Sequence, residues 1–179
     1  MIAARRLVNM GFSLLPQYSF HNITDITVDF LISAGIRYLM LDLDNTIAAY
    51  CEDYPSDDVL RWVRNIKDGG ITLKIISNSS RIIRVSAFAE AFSIGSVIRA
   101  SKPSPTGLKH SMEDDGFTPC ESALAGDQIF TDTLAANRAD VLSIIVKPKK
   151  FTNPFLALRY AVELPFRALV RNKQRRNCQ

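Results

Sequence analysis

Cysteine is scarce in this chain of 179 residues, and long apolar runs are missing. The three cysteines, Cys51, Cys120 and Cys178, are odd in number and far apart, which argues against a disulfide framework or a zinc site and favours a reducing cytoplasm. No apolar run approaches the roughly 18 residues of a membrane-spanning helix. The sequence shows no secretory signal, no internal repeat and no low-complexity stretch. These absences predict a globular cytoplasmic protein.

The net charge of +4 is distributed unevenly along the chain. Residues 147–179 contain nine Lys/Arg and one acidic residue, Glu163, which is a balance of +8, whereas residues 1–146 carry a balance of −4. We therefore predict a core with an N-terminal lead-in helix at residues 1–147, followed by a basic C-terminal helix and tail at 148–179.

Between residues 38 and 146, short apolar runs alternate with segments of helical periodicity. Such alternation predicts an α/β fold, in which helices cover both faces of a mainly parallel sheet. The predicted strands are residues 38–43, 71–76, 96–99, 122–125 and 141–146. The predicted helices are residues 22–34, 57–67, 80–92, 104–113 and 131–138. Ligands of such sheets bind at the carboxyl ends of the strands.

Polar residues follow the ends of the first four predicted strands. These residues are, in chain order, Asp42, Asp44 and Thr46, then Ser77 and Asn78, then Lys102, and finally Asp127 and Asp132. We expect their side chains to converge, because parallel strands end at the same edge of a sheet. The carboxylates of Asp42, Asp44 and Asp127 would repel one another unless a cation lay between them, and hard oxygen ligands suit Mg²⁺.

This combination of side chains predicts phosphoryl-transfer chemistry. One carboxylate in line with the phosphorus atom can act as the nucleophile. A second carboxylate can protonate the leaving oxygen and later activate water. Lys102 and the metal would offset the phosphate charge, while the Ser77 hydroxyl and the Asn78 amide would bind phosphate oxygens.

The same residues carry a resemblance to a known family. Asp42-Leu43-Asp44-Asn45-Thr46, Ser77, Lys102 and Gly126-Asp127 with Asp132 resemble, in order and placement, the four motifs of the haloacid dehalogenase superfamily. The resemblance implies a Rossmann-like fold with Asp42 as nucleophile and Asp44 as acid/base. It implies Mg²⁺ on Asp42, Asp127 and the backbone carbonyl of Asp44. It further implies phosphate binding by Ser77 and Lys102, and support from Thr46 and from Asp132, which would orient the metal site or Lys102.

A closer resemblance is to the YqeG-type branch of that superfamily, which includes phosphatidylglycerophosphate phosphatases. It covers about residues 14–147 and rests on Leu15-Pro16, Ile23-Thr24-Asp25-Ile26, Leu41 to Thr46, Ser101-Lys102-Pro103, Gly126 to Asp132 and Asn137-Arg138. The resemblance implies phosphatidylglycerophosphate as the substrate. A soluble phosphomonoester or a phosphoprotein is the alternative within the same enzyme class.

The spacing of the motifs leaves no room for a cap domain. Asp44 and Ser77 are 33 residues apart, Ser77 and Lys102 are 25 apart, and one helix and one strand fill each interval. A cap would enclose a small substrate and exclude water. An uncapped site is expected to be open and suited to a phosphate on a large molecule, such as a lipid headgroup.

The C-terminal segment has the pattern of an amphipathic helix. One face contains Phe155, Leu158, Val162, Phe166 and Leu169, another contains Arg159, Glu163, Arg167 and Arg171, and Lys173, Arg175 and Arg176 extend the charge. Pro165 predicts a kink or a break. Residues 154–176 can lie on an anionic membrane, as for a peripheral protein at its inner face, or the apolar face can pack on the core. Nucleic-acid binding is disfavoured because no recognised motif is present.

A function of another class fits part of the pattern. Response-regulator receivers also carry a phosphoacceptor Asp, an acidic pair and a Lys on a doubly wound sheet, and they do not turn over rapidly. Asp44, two residues after Asp42, favours the enzyme because it supplies the acid/base that turnover requires. The oligomeric state is left open.

Overall fold

The computed structural model describes residues 13–150 and 154–177, with side chains of the last helix described as far as Val170. Within these residues, six strands form one fully parallel sheet in the order β1-β6-β5-β2-β3-β4. The strands are β1 (Tyr18–Phe20), β2 (Tyr38–Leu41), β3 (Thr72–Ser77), β4 (Gly95–Ile98), β5 (Ser122–Gly126) and β6 (Leu142–Val146). The predicted α/β fold with a parallel sheet is confirmed.

Helices cover both faces of this sheet. They are α1 (Val28–Ser33), α2 (Asp57–Asp68), α3 (Ile82–Phe92), α4 (Thr106–Asp115), α5 (Leu134–Arg138) and α6 (Pro154–Asn177). Successive side chains of β2 point to opposite faces. Leu39 and Leu41 therefore join one buried apolar cluster, and Tyr38 and Met40 join a second cluster on the other face.

Two predicted helices are corrected by the structure. The helix predicted at 22–34 is a 3₁₀ turn at Ile23–Asp25 followed by α1. The two are separate because Thr27 is extended and caps α1, accepting a hydrogen bond from the Phe30 amide at 3.1 Å. The helix predicted at 131–138 begins earlier, as a π-helical turn at Ile129–Thr133 that leads into α5.

The order in which the strands are connected determines where a ligand can bind at the sheet edge. From β2 the chain proceeds to β3 and β4 on one side, and it returns to β5 and β6 on the other side. Leu41 is in register with Ile75 of β3 and Ala125 of β5, so the carboxyl ends of these three central strands lie level. A reversal of strand order of this kind opens a crevice between the two strands that flank it. In this protein those strands are β2 and β5.

No cap domain interrupts the fold between residues 13 and 150. The chain between β2 and β3 forms a loop at 42–56 and then α2, and α3 links β3 to β4. The carboxyl edge of the sheet is therefore uncovered by any inserted domain, as the motif spacing predicts. In the described residues, no helix combines the length and the apolarity that crossing a bilayer requires.

The last helix differs from its prediction in two respects. It continues through Pro165 as one element, so a split into two helices is wrong, whereas the kink stays a prediction. Because Pro165 has no backbone N–H, the Ala161 carbonyl loses its helical hydrogen-bond donor. Both residues lie on the exposed side of α6, where water can donate to that carbonyl instead. The predicted division of the chain at residue 147 stays a prediction.

The orientation of α6 is the second difference. Leu156, Glu163, Arg167 and Val170 are buried, whereas Phe155, Leu158, Val162 and Leu169 are between 53% and 70% exposed. The interpretation in which the apolar face packs on the core is therefore wrong, because the face carrying Glu163 and Arg167 packs there instead. Side chains of Arg171, Lys173, Arg175 and Arg176 lie outside the described residues.

Candidate active site

Asp42 occupies the first position after the central strand β2. Its amide donates to the Ala125 carbonyl at 2.9 Å, which extends the pairing with β5 by one residue. The carboxylate is buried, and both of its oxygens are held: Oδ1 by the Lys102 ammonium at 2.6 Å and Oδ2 by the Thr46 hydroxyl at 3.0 Å. Asn45, with a φ of +61°, makes the tight turn that brings Thr46 back to Asp42.

Lys102 lies at the centre of the polar residues. Its ammonium contacts Asp42 Oδ1 at 2.6 Å, Asp132 Oδ1 at 2.8 Å and the carbonyl of Ile76 at 2.8 Å. Burial disfavours its charged form, but Asp132 and Asp42 outweigh that effect and raise the pKa of Lys102 above its ordinary value. The side chain is therefore a fixed cation between two carboxylates.

Asp42, Asp127 and Asp132 bring one carboxylate oxygen each within 4.8 Å of one another, and all three residues are buried. Asp127 Oδ1 has no hydrogen-bond partner among the described residues. Burial raises the pKa of Asp127 well above its usual range, and repulsion from Asp42 and Asp132 adds to the effect. A buried oxygen without a donor, within an acidic cluster, is the environment that a divalent cation fits.

The pKa of Asp42 reflects the same crowding. Burial raises the pKa of Asp42 to about 7, Lys102 acts in the opposite direction, and Asp132 and Asp44 raise it further. A divalent cation would reverse this balance by stabilising the ionised carboxylates. The donor set of this cluster therefore fits Mg²⁺.

The loop after β5 depends on a glycine. A Cβ atom at Gly126 would lie 2.3 Å from Cγ of Asp132, so only glycine permits the Asp132 carboxylate to approach the backbone there. Asp132 Oδ2 also accepts the Gln128 amide at 3.0 Å. The π-helical turn at Ile129–Thr133 thus folds Asp132 back onto the strand end that carries Asp127.

Asp44 turns away from the three clustered carboxylates. Its Oδ1 binds Nη1 of Arg84, on α3, at 2.6 Å. Arg84 is buried and also donates to the carbonyls of Glu52 at 2.8 Å and Ala49 at 3.0 Å. The metal contact predicted for Asp44 involves its backbone carbonyl, so the side-chain position is compatible with that prediction.

Arg84 is a site residue that sequence reasoning missed. The sequence does contain an indication of it: Arg84 is the one cation in α3 and lies one turn before Phe88, on the face that is buried. An unpaired charge would be costly at such a position. It also stacks on the Phe88 ring, with Cζ 5.1 Å from the ring centroid.

Ser77 and Asn78 end the neighbouring strand β3. Ser77 is buried, and its hydroxyl oxygen accepts the Ser79 amide at 3.0 Å, which leaves the hydroxyl proton available to a ligand oxygen. The Asn78 amide group bonds the Lys102 backbone twice, to the carbonyl at 2.7 Å and to the amide at 2.8 Å. Asn78 thereby positions Lys102, and the phosphate contacts predicted for Ser77 and Asn78 stay predictions.

An open cavity of about 420 Å³ borders these residues. Its lining includes Asp42, Asp44, Asn78, Lys102 and Asp132 from the predicted set, together with Tyr50, Arg81 and Arg159. Burial raises the pKa of Tyr50 to about 12, and the nearby carboxylates of Asp44 and Asp127 add to this shift. The cavity is thus acidic around Asp42 and also contains arginines from α6 and from the start of α3.

The helix α6 directly contacts the loop after β5, which carries Asp127. Arg167 donates to the carbonyl of Asp127, to the carbonyl of Val146 at 3.0 Å and to Glu163 Oε2 at 3.0 Å. Glu163 Oε1 accepts the Ile129 amide at 3.1 Å. Burial raises the pKa of Glu163, whereas Arg167 lowers it. The helix face that carries Glu163 and Arg167 thus holds the loop after β5.

Comparison with known proteins agrees with this geometry. No protein-family model matches the chain. The chain is 28% identical over 142 residues to the probable phosphatase YqeG of Bacillus subtilis (strain 168), which covers 79% of this chain and 82% of that protein.

Solved structures of other proteins share the fold. The cobalt-bound deoxy-D-mannose-octulosonate 8-phosphate phosphatase (YrbI) of Haemophilus influenzae matches 63% of this chain and 69% of its own, with a TM-score of 0.51 and 17% identity. A putative 3-deoxy-D-manno-octulosonate 8-phosphate phosphatase of Vibrio cholerae matches 72% of this chain and 75% of its own, with a TM-score of 0.54 and 16% identity.

Proposed function

We propose that this chain, a phosphatase of the haloacid dehalogenase superfamily, hydrolyses phosphomonoesters through a phosphoryl group carried on Asp42. The observation that carries the proposal is the position of Asp42 at the end of β2. There its carboxylate contacts Lys102 at 2.6 Å and belongs to the cluster completed by Asp127 and Asp132. A nucleophile next to a fixed cation and a metal-binding cluster is what phosphoryl transfer requires.

Asp42, Asp127 and the backbone carbonyl of Asp44 would hold Mg²⁺, with Asp132 next to them. The unpaired Oδ1 of Asp127 supports this assignment. When bound, Mg²⁺ supplies positive charge against the phosphoryl oxygens. The match to a phosphatase of the same fold whose solved structure is cobalt-bound agrees with a divalent cation in this chain.

The residues of the chain would divide the reaction into two steps. In the first, a carboxylate oxygen of Asp42 forms a bond to phosphorus while the bond to the leaving oxygen breaks, and Asp44 gives that oxygen a proton. In the second, Asp44 takes a proton from water, the water oxygen attacks phosphorus, and Asp42 is released with inorganic phosphate. Lys102 and Ser77 would bind phosphoryl oxygens, and Thr46 would keep Asp42 oriented.

The proposed substrate is phosphatidylglycerophosphate. The YqeG-type motifs support it first, and the uncapped carboxyl edge agrees because a lipid headgroup must reach the site from a membrane surface. The exposed apolar row of Phe155, Leu158, Val162 and Leu169 lies on the helix that also brings Arg159 to the cavity. Peripheral binding at the cytoplasmic face would combine this row with the basic tail, each basic residue adding about 1 kcal/mol of attraction to anionic lipid.

The test is phosphate release from phosphatidylglycerophosphate in mixed micelles with Mg²⁺, with Asp42→Asn as the control. Release that requires Mg²⁺ and Asp42 supports both the chemistry and the lipid substrate. Release from p-nitrophenyl phosphate alone, again dependent on Asp42, would keep the phosphatase and remove the lipid in favour of a soluble substrate. A stable phosphorylated Asp42 without turnover would support the receiver-like alternative instead.

A further inference from the structure

Arg159 is a cation in the cavity whose guanidinium donates no hydrogen bond to the described residues. It lines the cavity with Asp42 and Lys102 and is half-buried, yet it makes no hydrogen bond or ion pair within residues 13–150 and 154–170. The other cations that line the cavity are engaged. Lys102 binds two carboxylates, and Arg81 binds Asp53 at 2.7 Å and the Tyr50 carbonyl at 2.9 Å.

The position of Arg159 is fixed by its helix. Glu163 and Arg167 follow it at one-turn intervals on α6. Both bond the segment after β5, and Arg167 also bonds the end of β6. This anchoring holds the base of the Arg159 side chain next to the cavity. The charge of Arg159 acts on the cavity and on its own helix, since Arg159 opposes the effect of burial on the pKa of Asp127, of Tyr50 and of Glu163. A half-buried guanidinium held without a partner favours an anionic ligand.

The direction of the reaction indicates which anion this is. Asp42 is only 6% exposed, so it lies deep in the cavity. In-line displacement puts the leaving group on the side of phosphorus opposite the nucleophile, which is towards the opening. Arg159 is more exposed than Asp42 and comes from α6, whereas Lys102 and Ser77 come from the other side of β2. It is therefore placed to meet the leaving group.

We infer that Arg159 is a specificity-determining residue, which binds a second anionic phosphate group carried by the leaving group of the substrate. The inference rests on the proposed phosphatase function and specifies its substrate class: phosphomonoesters that also contain a phosphodiester. Phosphatidylglycerophosphate belongs to this class, and so does its deacylated headgroup, glycerophosphoglycerophosphate, which has no acyl chains. The planar guanidinium fork suits two oxygens of a phosphodiester.

The test compares two soluble substrates with the full chain and Mg²⁺. Arg159→Gln is expected to lower kcat/KM for glycerophosphoglycerophosphate about 10- to 100-fold, the loss of a charged hydrogen-bonding partner. Its kcat/KM for glycerol 3-phosphate, which has no second phosphate, should change less than about 3-fold. Arg159→Lys should retain part of the preference, because it keeps the charge and loses the fork. Arg64→Gln, an exposed arginine on α2, is the matched control and should leave both values unchanged.

Three results would overturn the inference. An equal loss on both substrates would place Arg159 on the transferred phosphate or the acidic cluster. No loss on either would leave it without a substrate contact. A loss confined to phosphatidylglycerophosphate in micelles would place Arg159 on the lipid surface.

The proposed phosphatase function is tested separately from the role of Arg159. If the unmodified chain cleaves neither compound in an Asp42-dependent manner, the phosphatase proposal falls. Calorimetric binding of the same two compounds to Asp42→Asn, with and without Arg159→Gln, needs no turnover. Discrimination between them that depends on Arg159 supports the inference, and its absence refutes it.

Discussion

Replacing Arg167 by methionine should destabilise the protein and loosen the loop that carries Asp127. The substitution keeps much of the side-chain volume but removes the donors to the carbonyls of Asp127 and Val146 and to Glu163. Glu163 would remain buried, at 1% exposure, and the Ile129 amide would be its one hydrogen-bond donor among the described residues. Breaking a buried ion pair by removing one member costs about 3–5 kcal/mol.

The pH dependence of that loss has a defined sign. Burial already raises the pKa of Glu163, and Arg167 lowers it, so the variant should have a still higher Glu163 pKa. When the pKa of a carboxyl group is higher in the folded state than in the unfolded state, the free energy of unfolding is larger at low pH and decreases as the pH rises. The deficit of Arg167→Met should therefore be smaller at pH 4 than at pH 8, since the unfolded Glu pKa is about 4.3.

Urea unfolding at the two pH values measures this deficit. The double variant Glu163→Gln/Arg167→Met provides the matched control, because a neutral Gln can still accept the Ile129 amide and leaves no buried charge. We expect the double variant to be more stable than Arg167→Met alone at pH 8. A loss in Arg167→Met below about 1 kcal/mol, or strictly additive effects in the double-mutant cycle, would show that Arg167 does not stabilise the buried Glu163.

Three other predictions follow from particular contacts. Gly126→Ala should destabilise the fold by about 1–3 kcal/mol and weaken Mg²⁺ binding, because its Cβ would lie 2.3 Å from Asp132 Cγ; thermal unfolding with and without Mg²⁺ measures both, and an unchanged Tm would contradict it. Mg²⁺ affinity should fall as pH drops below about 7, because burial raises the pKa of Asp42 to about 7 and the protonated carboxyl binds metal poorly. Calorimetry at pH 6 and pH 8 measures this, and equal affinities would count against the prediction. Arg84→Met should lower kcat for alkyl phosphates up to about 10²-fold, because it removes the ion pair that holds Asp44. The effect on p-nitrophenyl phosphate should be smaller, because its leaving group needs no proton. Equal losses on both substrates would show that Arg84 does not act through Asp44.

The central part of the fold follows from local sequence rules. Short apolar runs alternating with helical periodicity predict β2, β3 and β5, and the position of Asp42 and Asp127 just after two of them places both at one edge. By contrast, β1 has only three residues, Tyr18–Phe20, which is too short to show a periodicity, and its pairing with β6 is a contact between distant segments.

The orientation of α6 could not be obtained in this way. Amphipathic patterning assumes that the apolar face is the buried face. Here the carbonyls of Asp127 and Val146 and the Ile129 amide need partners, and Glu163 and Arg167 supply them. Those backbone groups lie 21 to 40 residues from the helix positions that bond them, so no local pattern indicates the pairing. Arg84 is comparable, since its partners at Asp44 and Ala49 precede it by 40 and 35 residues.

The bond from Arg167 to the Asp127 carbonyl also orders events in time. Arg167 follows Asp127 by 40 residues, so the acidic cluster is synthesised before the residue that binds its loop. At about 5–20 residues per second, that interval lasts about 2–8 s. During it the nascent protein already contains every predicted catalytic residue, but the loop after β5 gains its bond to Arg167 only once residue 167 has been synthesised.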